Sequence, residues 1–183
     1  MKKVALFLAD GFEEIEALTP VDVLRRANIE VTTISISTTT HVTGAHQINV
    51  IADTTFDQPD YSTFDAIILP GGMPGTNHLK AHQELNKLLV RHAKEGKLIG
   101  AICAAPLILG ELNLLQTKNV VCYPGFEKHL KGANILNETI AKDKNLVTAN
   151  GAGAAMLFAL NLVEELLDQT TANKLAEKML FVR

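Results

Sequence analysis

The chain has no tryptophan and only two cysteines among its 183 residues. Cys103 and Cys122 lie far apart without CxxC spacing, which excludes a disulfide framework and a cysteine-based zinc site. Reduced thiols, and with them a cytoplasmic protein, are the expectation. No apolar run reaches the roughly 18 residues that a membrane-spanning helix needs. The net charge is −3, with both signs mixed along the chain, so there is no electrostatic footprint for nucleic acid or an anionic membrane surface. No GxGxxG is present, and a dinucleotide site therefore has no support. Of the six histidines only His78 and His82 are spaced i, i+4. They lack the acidic companion of an HExxH motif, so they read as a solvated helix start and no metal is expected.

What remains is an ordinary globular composition, 47% hydrophobic and 20% charged. It suits one domain over residues 1–183 with a full core. The opening "MKKVALFLADGFEE" resembles a leader only superficially, because its apolar run is six residues long and acids follow at once. Val4–Ala9 therefore reads as a first strand. Glu13–Ala27 reads as a helix bent or restarted at Pro20, with Thr19 and Asp22 as a weak cap. Glu30–Ile36 is β-branched and reads as strand, and 42–52 as a hairpin off the sheet. Ala66–Leu69 is a short buried strand broken by "PGGMPG". Leu79–Lys94 has leucines at helical spacing, and the run ending at Cys103 is a strand followed by a helix from Pro106. Further strands are expected at Val120–Tyr123, and at Ile135–Ala141 paired with Leu146–Ala149. A short helical piece in "FEKHLK" lies between them, and helices over 153–167 and 171–180 close the chain. Strands alternating with helices imply right-handed βαβ units and a mostly parallel sheet covered on both faces, an α/β fold. In such sheets ligands bind at the carboxyl ends of the strands. Three features fall there: "DGFEEIE", "PGG" and "CAAP".

Each feature carries a chemical and a purely structural meaning. The small residues Gly100, Ala101, Ala104 and Ala105 around Cys103 leave room for a strained nucleophile elbow. A thiol there, at a helix N-terminus, would have a lowered pKa. Equally, free cysteine is a common core residue. Gly71 and Gly72 can turn sharply and present amides to an oxyanion, or simply form a βα turn. The helix dipole accounts for Glu13 and Glu14 in a first turn. Glu16 has apolar neighbours in sequence, Ile15 and Ala17-Leu18; buried, it would keep its proton and could donate it to a thiolate. Cys122 lacks small neighbours and reads as structural.

Taken together, "ADGFEEIEALTPVDVLRRA", "DAIILPGG" and "AICAAP", in this order and spacing, resemble the DJ-1/ThiJ/PfpI superfamily, nearest its bacterial YajL/ThiJ and human DJ-1 branch. The likeness continues through "VCYPGFEKHL" and "LVTANGAG" to the C-terminal helix. It implies a flavodoxin-like sandwich and a homodimer, with a dimer surface expected around Val21–Arg26 and the hairpin near His46. It implies that Cys103 is the nucleophile, that Glu16 is its protonated partner, and that Gly72 and Ala104, with Gly71 beside them, offer backbone amides. The implied activities need no cofactor: conversion of α-oxoaldehydes such as methylglyoxal to 2-hydroxy acids, repair of early glycation adducts on proteins, and protection against oxidative stress. A sensor or chaperone using an oxidisable Cys103 is the alternative. The chain departs from the family pattern at three positions. Ala104 stands where peptidase relatives and many glyoxalase relatives have histidine, which argues against a peptidase and leaves the proton transfers to Glu16. Tyr123 aligns with another family histidine, and His46 with an arginine that a partner subunit lends to the site.

Overall fold

The computed structural model describes residues 1–182. In chain order the elements are β1 (Lys3–Leu8), α1 (Glu14–Arg26), β2 (Glu30–Ser35), β3 (His41–Thr43), β4 (Asn49–Ile51), β5 (Thr54–Thr55) and β6 (Ala66–Leu69). Then follow α2 (Gly75–Ala81), α3 (Gln83–Lys94), β7 (Leu98–Ile102), α4 (Pro106–Glu111), β8 (Asn119–Val120), β9 (Asn134–Ile135), β10 (Ile140–Asp143), β11 (Leu146–Ala149), α5 (Ala155–Leu166) and α6 (Gln169–Lys178). Seven strands form the central sheet in the order β10-β11-β7-β6-β1-β2-β5. All neighbours are parallel except β10 and β11. This is the flavodoxin-like α/β arrangement that the sequence implies.

Strand alternation sorts the core into two layers. Val4, Leu6 and Leu8 of β1 pack with α1, α5 and α6, including Leu24 and Phe158. Ala5, Phe7 and Ala9 face the opposite side with Leu85 and Leu89 of α3 and Ile108 of α4. Each such side chain, taken fully from water, contributes about 1.5–3 kcal/mol, so these two layers rather than helix propensity hold the short helices in place. Gly100 at the centre of β7 lets α5 approach closely. A β-carbon there would stand 3.0 Å from both Leu162 and Phe158.

Several local expectations change in the folded chain. The helix over 14–26 is continuous through Pro20. Asp22 is no cap; it pairs with Arg26 one turn on, at 2.7 Å. The helix expected over 79–94 is two, α2 and α3, divided at His82. His82 is not a solvated residue: its Nδ1 accepts from the Leu85 amide and its ring packs on Phe56 at 4.4 Å. His78 is exposed near the start of α2, as expected, with its Nδ1 2.9 Å from the Asp10 carbonyl. The strand expected at 120–123 shortens to β8, which pairs with β9 apart from the main sheet. β10 begins at Ile140 instead of Ile135. The two-stranded β3–β4 hairpin lies off the sheet as expected.

Candidate active site

The carboxyl ends of β1, β6 and β7 lie side by side in the sheet, and the segment that follows each supplies part of one site. After β7, Cys103 adopts φ 63°, a left-handed conformation that costs a side-chain-bearing residue about 1–2 kcal/mol. Neighbouring backbone holds it there. The Cys103 amide donates to the Ala149 carbonyl at 2.8 Å, and the Cys103 carbonyl accepts from the Tyr123 amide at 2.8 Å. The side chain is thereby turned off the strand direction and left half-buried.

After β1, Glu13 caps α1 by accepting the Glu16 amide on Oε2 at 2.7 Å. Its own amide donates to the Gly71 carbonyl at 3.0 Å. This pins the helix start to the end of β6 and aims Glu16 inward, where it is 1% exposed. Glu16 Oε2 accepts the Gly71 amide at 2.9 Å. Its other oxygen, Oε1, is buried without a partner of good geometry, and the Cys103 side chain is the thiol that acts on this carboxyl. Gly71 marks how closely the two groups converge. A β-carbon there would lie 2.6 Å from Glu16 Oε2 and 2.7 Å from Cys103 Cβ. Gly72, at φ 89°, takes the turn that swings its amide, like that of Ala104, to the Cys103 sulfur.

The electrostatics differ from the sequence expectation of an acidified thiol. Burial raises Glu16 from 4.5 to about 7, against weaker pulls from its Cys103 and Gly71 hydrogen bonds. Burial, and then the Glu16 carboxylate, push Cys103 up to about 12. The amides of Ala104 and Gly72 pull it down, but α4 is only six residues long, and Cys103 precedes its first residue by three, so its dipole is too small to dominate. The two groups behave as one acid pair. Between those two values the pair holds a single proton. Cys122 is also raised, to about 11, by burial and by Glu127.

Glu14, read from sequence as a simple first-turn acid, has a definite task in the structure. It is 4% exposed, and His46 bonds both its oxygens, the backbone amide to Oε1 and Nδ1 to Oε2, each at 2.7 Å. Burial pushes Glu14 up, yet the His46 bonds more than offset this and hold it below its ordinary value. The same bond raises His46. His46 thus meets Glu14 of its own chain. Glu13, Glu14 and His46 present ligand atoms within 4.8 Å of one another. However, three of the four carboxylate oxygens already accept hydrogen bonds, and the positive end of α1 disfavours a cation there. No pattern in the sequence marks Glu14, because its role depends on a hairpin thirty residues away.

Tyr123 stands half exposed beside the elbow. Its ring edge lies 3.4 Å from where a β-carbon of Gly151 would be. The apolar stretch Val21-Val23-Leu24, expected on a dimer surface, is instead buried in the core, and Arg25 is bonded to Asp53. The apolar side chains that α1 and the hairpin region do expose are Ile15, Leu18, Ile48 and Ile51. No helix among the described residues is long and apolar enough to cross a membrane.

A family model described as the DJ-1/PfpI family matches residues 2–165. Protein DJ-1 homolog B of Arabidopsis thaliana is 39% identical over 173 residues, covering 93% of this chain; the chain spans 40% of that longer protein. A Caenorhabditis elegans protein named glutathione-independent glyoxalase DJR-1.2 is 32% identical over 181 residues, covering 97% of this chain and 96% of its own length. The solved structure of oxidized Toxoplasma gondii DJ-1 superposes with a TM-score of 0.96 at 35% identity, with both chains covered completely.

Proposed function

The chain belongs to the DJ-1/PfpI family, and on that premise we propose that it is a cofactor-free, cysteine-dependent enzyme converting α-oxoaldehydes to 2-hydroxy acids. Early glycation adducts on proteins are a second form of the same substrate. The observation that carries this reading is the convergence of the Cys103 elbow and the buried Glu16 carboxyl on Gly71. In the one-proton form the proton rests on sulfur and Glu16 is a carboxylate; Glu16 takes the thiol proton as general base, which leaves a thiolate and a carboxylic acid together. The thiolate adds to the aldehyde carbon while Glu16 gives its proton to the aldehyde oxygen, forming a hemithioacetal. The Gly72 and Ala104 amides lie at the sulfur, where they can hold charge developing on that oxygen. Glu16, now a carboxylate, takes the hydrogen from C1 and returns it to C2, and the hydroxyl proton passes to the C2 oxygen. The product is a thioester of a 2-hydroxy acid. Water attacks it, giving one proton to Glu16 and releasing the acid and the thiolate. The sum is R–CO–CHO plus water to R–CHOH–COOH.

The test is methylglyoxal consumption and lactate formation by the purified protein without glutathione or metal, wild type against Cys103→Ser. Turnover lost in the variant supports the reading. Equal turnover in both, or none in the wild type, overturns it.

A second reading, an oxidation sensor, is favoured by the partnerless Glu16 Oε1. Protonated, that oxygen can donate to a sulfinate formed on Cys103. Under either reading we propose a cytoplasmic homodimer joined through the face carrying Ile15, Leu18, Ile48 and Ile51, which a twofold contact would cover. A monomer by sedimentation at micromolar concentration would reject the dimer.

A further inference from the structure

The approach to Cys103 differs from the pair itself in chemical character, and that difference bears on which α-oxoaldehyde the site accepts. Met73 directly follows Gly72, whose amide faces the sulfur, and it is 45% exposed. Tyr123 donates its amide to the Cys103 carbonyl and is 50% exposed. Its ring lies beside Gly151 and meets Phe126 edge-on at 6.4 Å. Two large apolar residues thus stand half in water on the two segments tied to the elbow, Met73 next to Gly72 and Tyr123 bonded through its amide to Cys103, with the Tyr123 ring lying over buried Gly151. A planar apolar substituent placed against them removes their surface from water and stacks on the phenol ring.

Charge acts in the same direction. The charged group acting on Glu16 is Glu13, and the one acting on Cys103 is Glu16. The nearby imidazole, His46, is engaged with buried Glu14. An anionic substituent entering here therefore meets the Glu16 and Glu13 carboxylates, in a half-buried setting where like charges repel more strongly than in water.

We propose that the mouth formed by Met73 and Tyr123 selects α-oxoaldehydes with a neutral apolar substituent, aryl above small alkyl, and discriminates against anionic ones. This rests on the catalytic reading above and adds the substrate class to it. The two are separated by comparing three probes: phenylglyoxal, methylglyoxal and 4-carboxyphenylglyoxal. The expected order of kcat/KM is phenylglyoxal over methylglyoxal by about fivefold or more. The carboxylated ring falls about tenfold below phenylglyoxal, a gap that narrows as salt is raised. In Tyr123→Ala and Met73→Ala the ratio of phenylglyoxal to methylglyoxal kcat/KM falls at least threefold, mainly through KM for phenylglyoxal. Thermal melts of both variants establish that they are folded; Tyr123→Phe, which keeps the ring, retains the wild-type ratio. No turnover of any of the three probes overturns the catalytic reading and this inference with it. Turnover without aryl preference, or with a preference that both alanine variants keep while folded, overturns the specificity alone.

Discussion

Glu16 and His92 are both buried titratable groups, and their effects on stability run in opposite directions with pH. Glu16 is 1% exposed and His92 2% exposed. Burial raises Glu16 from 4.5 to about 7. Burial, aided by Lys97, lowers His92 from 6.5 to about 4, and its Nε2 has no partner. About 2.5 pH units thus separate the folded from the ordinary value at each residue, 7 against 4.5 and 4 against 6.5. At about 1.36 kcal/mol per unit each is worth roughly 3 kcal/mol. The raised Glu16 contributes stability fully below pH 4.5 and loses it as pH rises through about 7. The depressed His92 contributes above pH 6.5 and loses it as pH falls through about 4. Near pH 5.5 the folded chain holds an extra proton at Glu16 and the unfolded chain one at His92, so the two slopes oppose and largely offset each other. Urea unfolding of the reduced protein between pH 5 and 6 is therefore expected to give a nearly flat stability. Glu16→Gln unmasks the histidine, and stability falls by about 1 kcal/mol per unit of acidification. His92→Leu unmasks the carboxyl, and stability rises by about as much. The double variant is flat again. Single variants whose profiles run parallel to the wild type would refute the assignment of both protons.

Three further outcomes follow from the site. Cys103→Ser and Glu16→Ala are expected to reduce α-oxoaldehyde turnover by at least about 100-fold, while Cys122→Ser, altering a buried thiol outside the pair, keeps most of it; an inactive but folded Cys122→Ser beside an active Cys103→Ser would reassign the nucleophile. Under graded peroxide, half-exposed Cys103 oxidises before buried Cys122 and stops mainly at sulfinate, because access governs the rate and Glu16 can donate to the product; peptide mass spectrometry showing equal oxidation of both cysteines, or a product mix indifferent to Glu16→Gln, would sink the pairing. Gly71→Ala places a methyl 2.6 Å from Glu16 Oε2 and 2.7 Å from Cys103 Cβ, so activity falls more than tenfold even where a thermal melt shows the chain folded; unchanged activity would mean that the convergence at Gly71 is not needed.

Local chemistry made most of the architecture legible in the sequence. Strand periodicity exposed β1, β2, β6, β7 and β11, and small residues around Cys103 announced a corner that φ 63° now describes. The positions of Cys103, Glu16 and Gly71–Gly72 at strand ends follow from topology, since a parallel sheet gathers its carboxyl ends on one edge. What the tertiary structure decided is whatever depends on distant partners. Burial reverses the expected thiol acidity, because desolvation beside a carboxylate outweighs a one-and-a-half-turn helix. His82 divides two helices, its Nδ1 capping the second by accepting the Leu85 amide and its ring resting against distant Phe56. Val23 and Leu24 are core because α5 and α6 cover α1. Glu14 is a clamp only because the hairpin brings His46 to it. No local pattern encodes these facts, since each is set by a residue that the sequence places far away and only packing brings near.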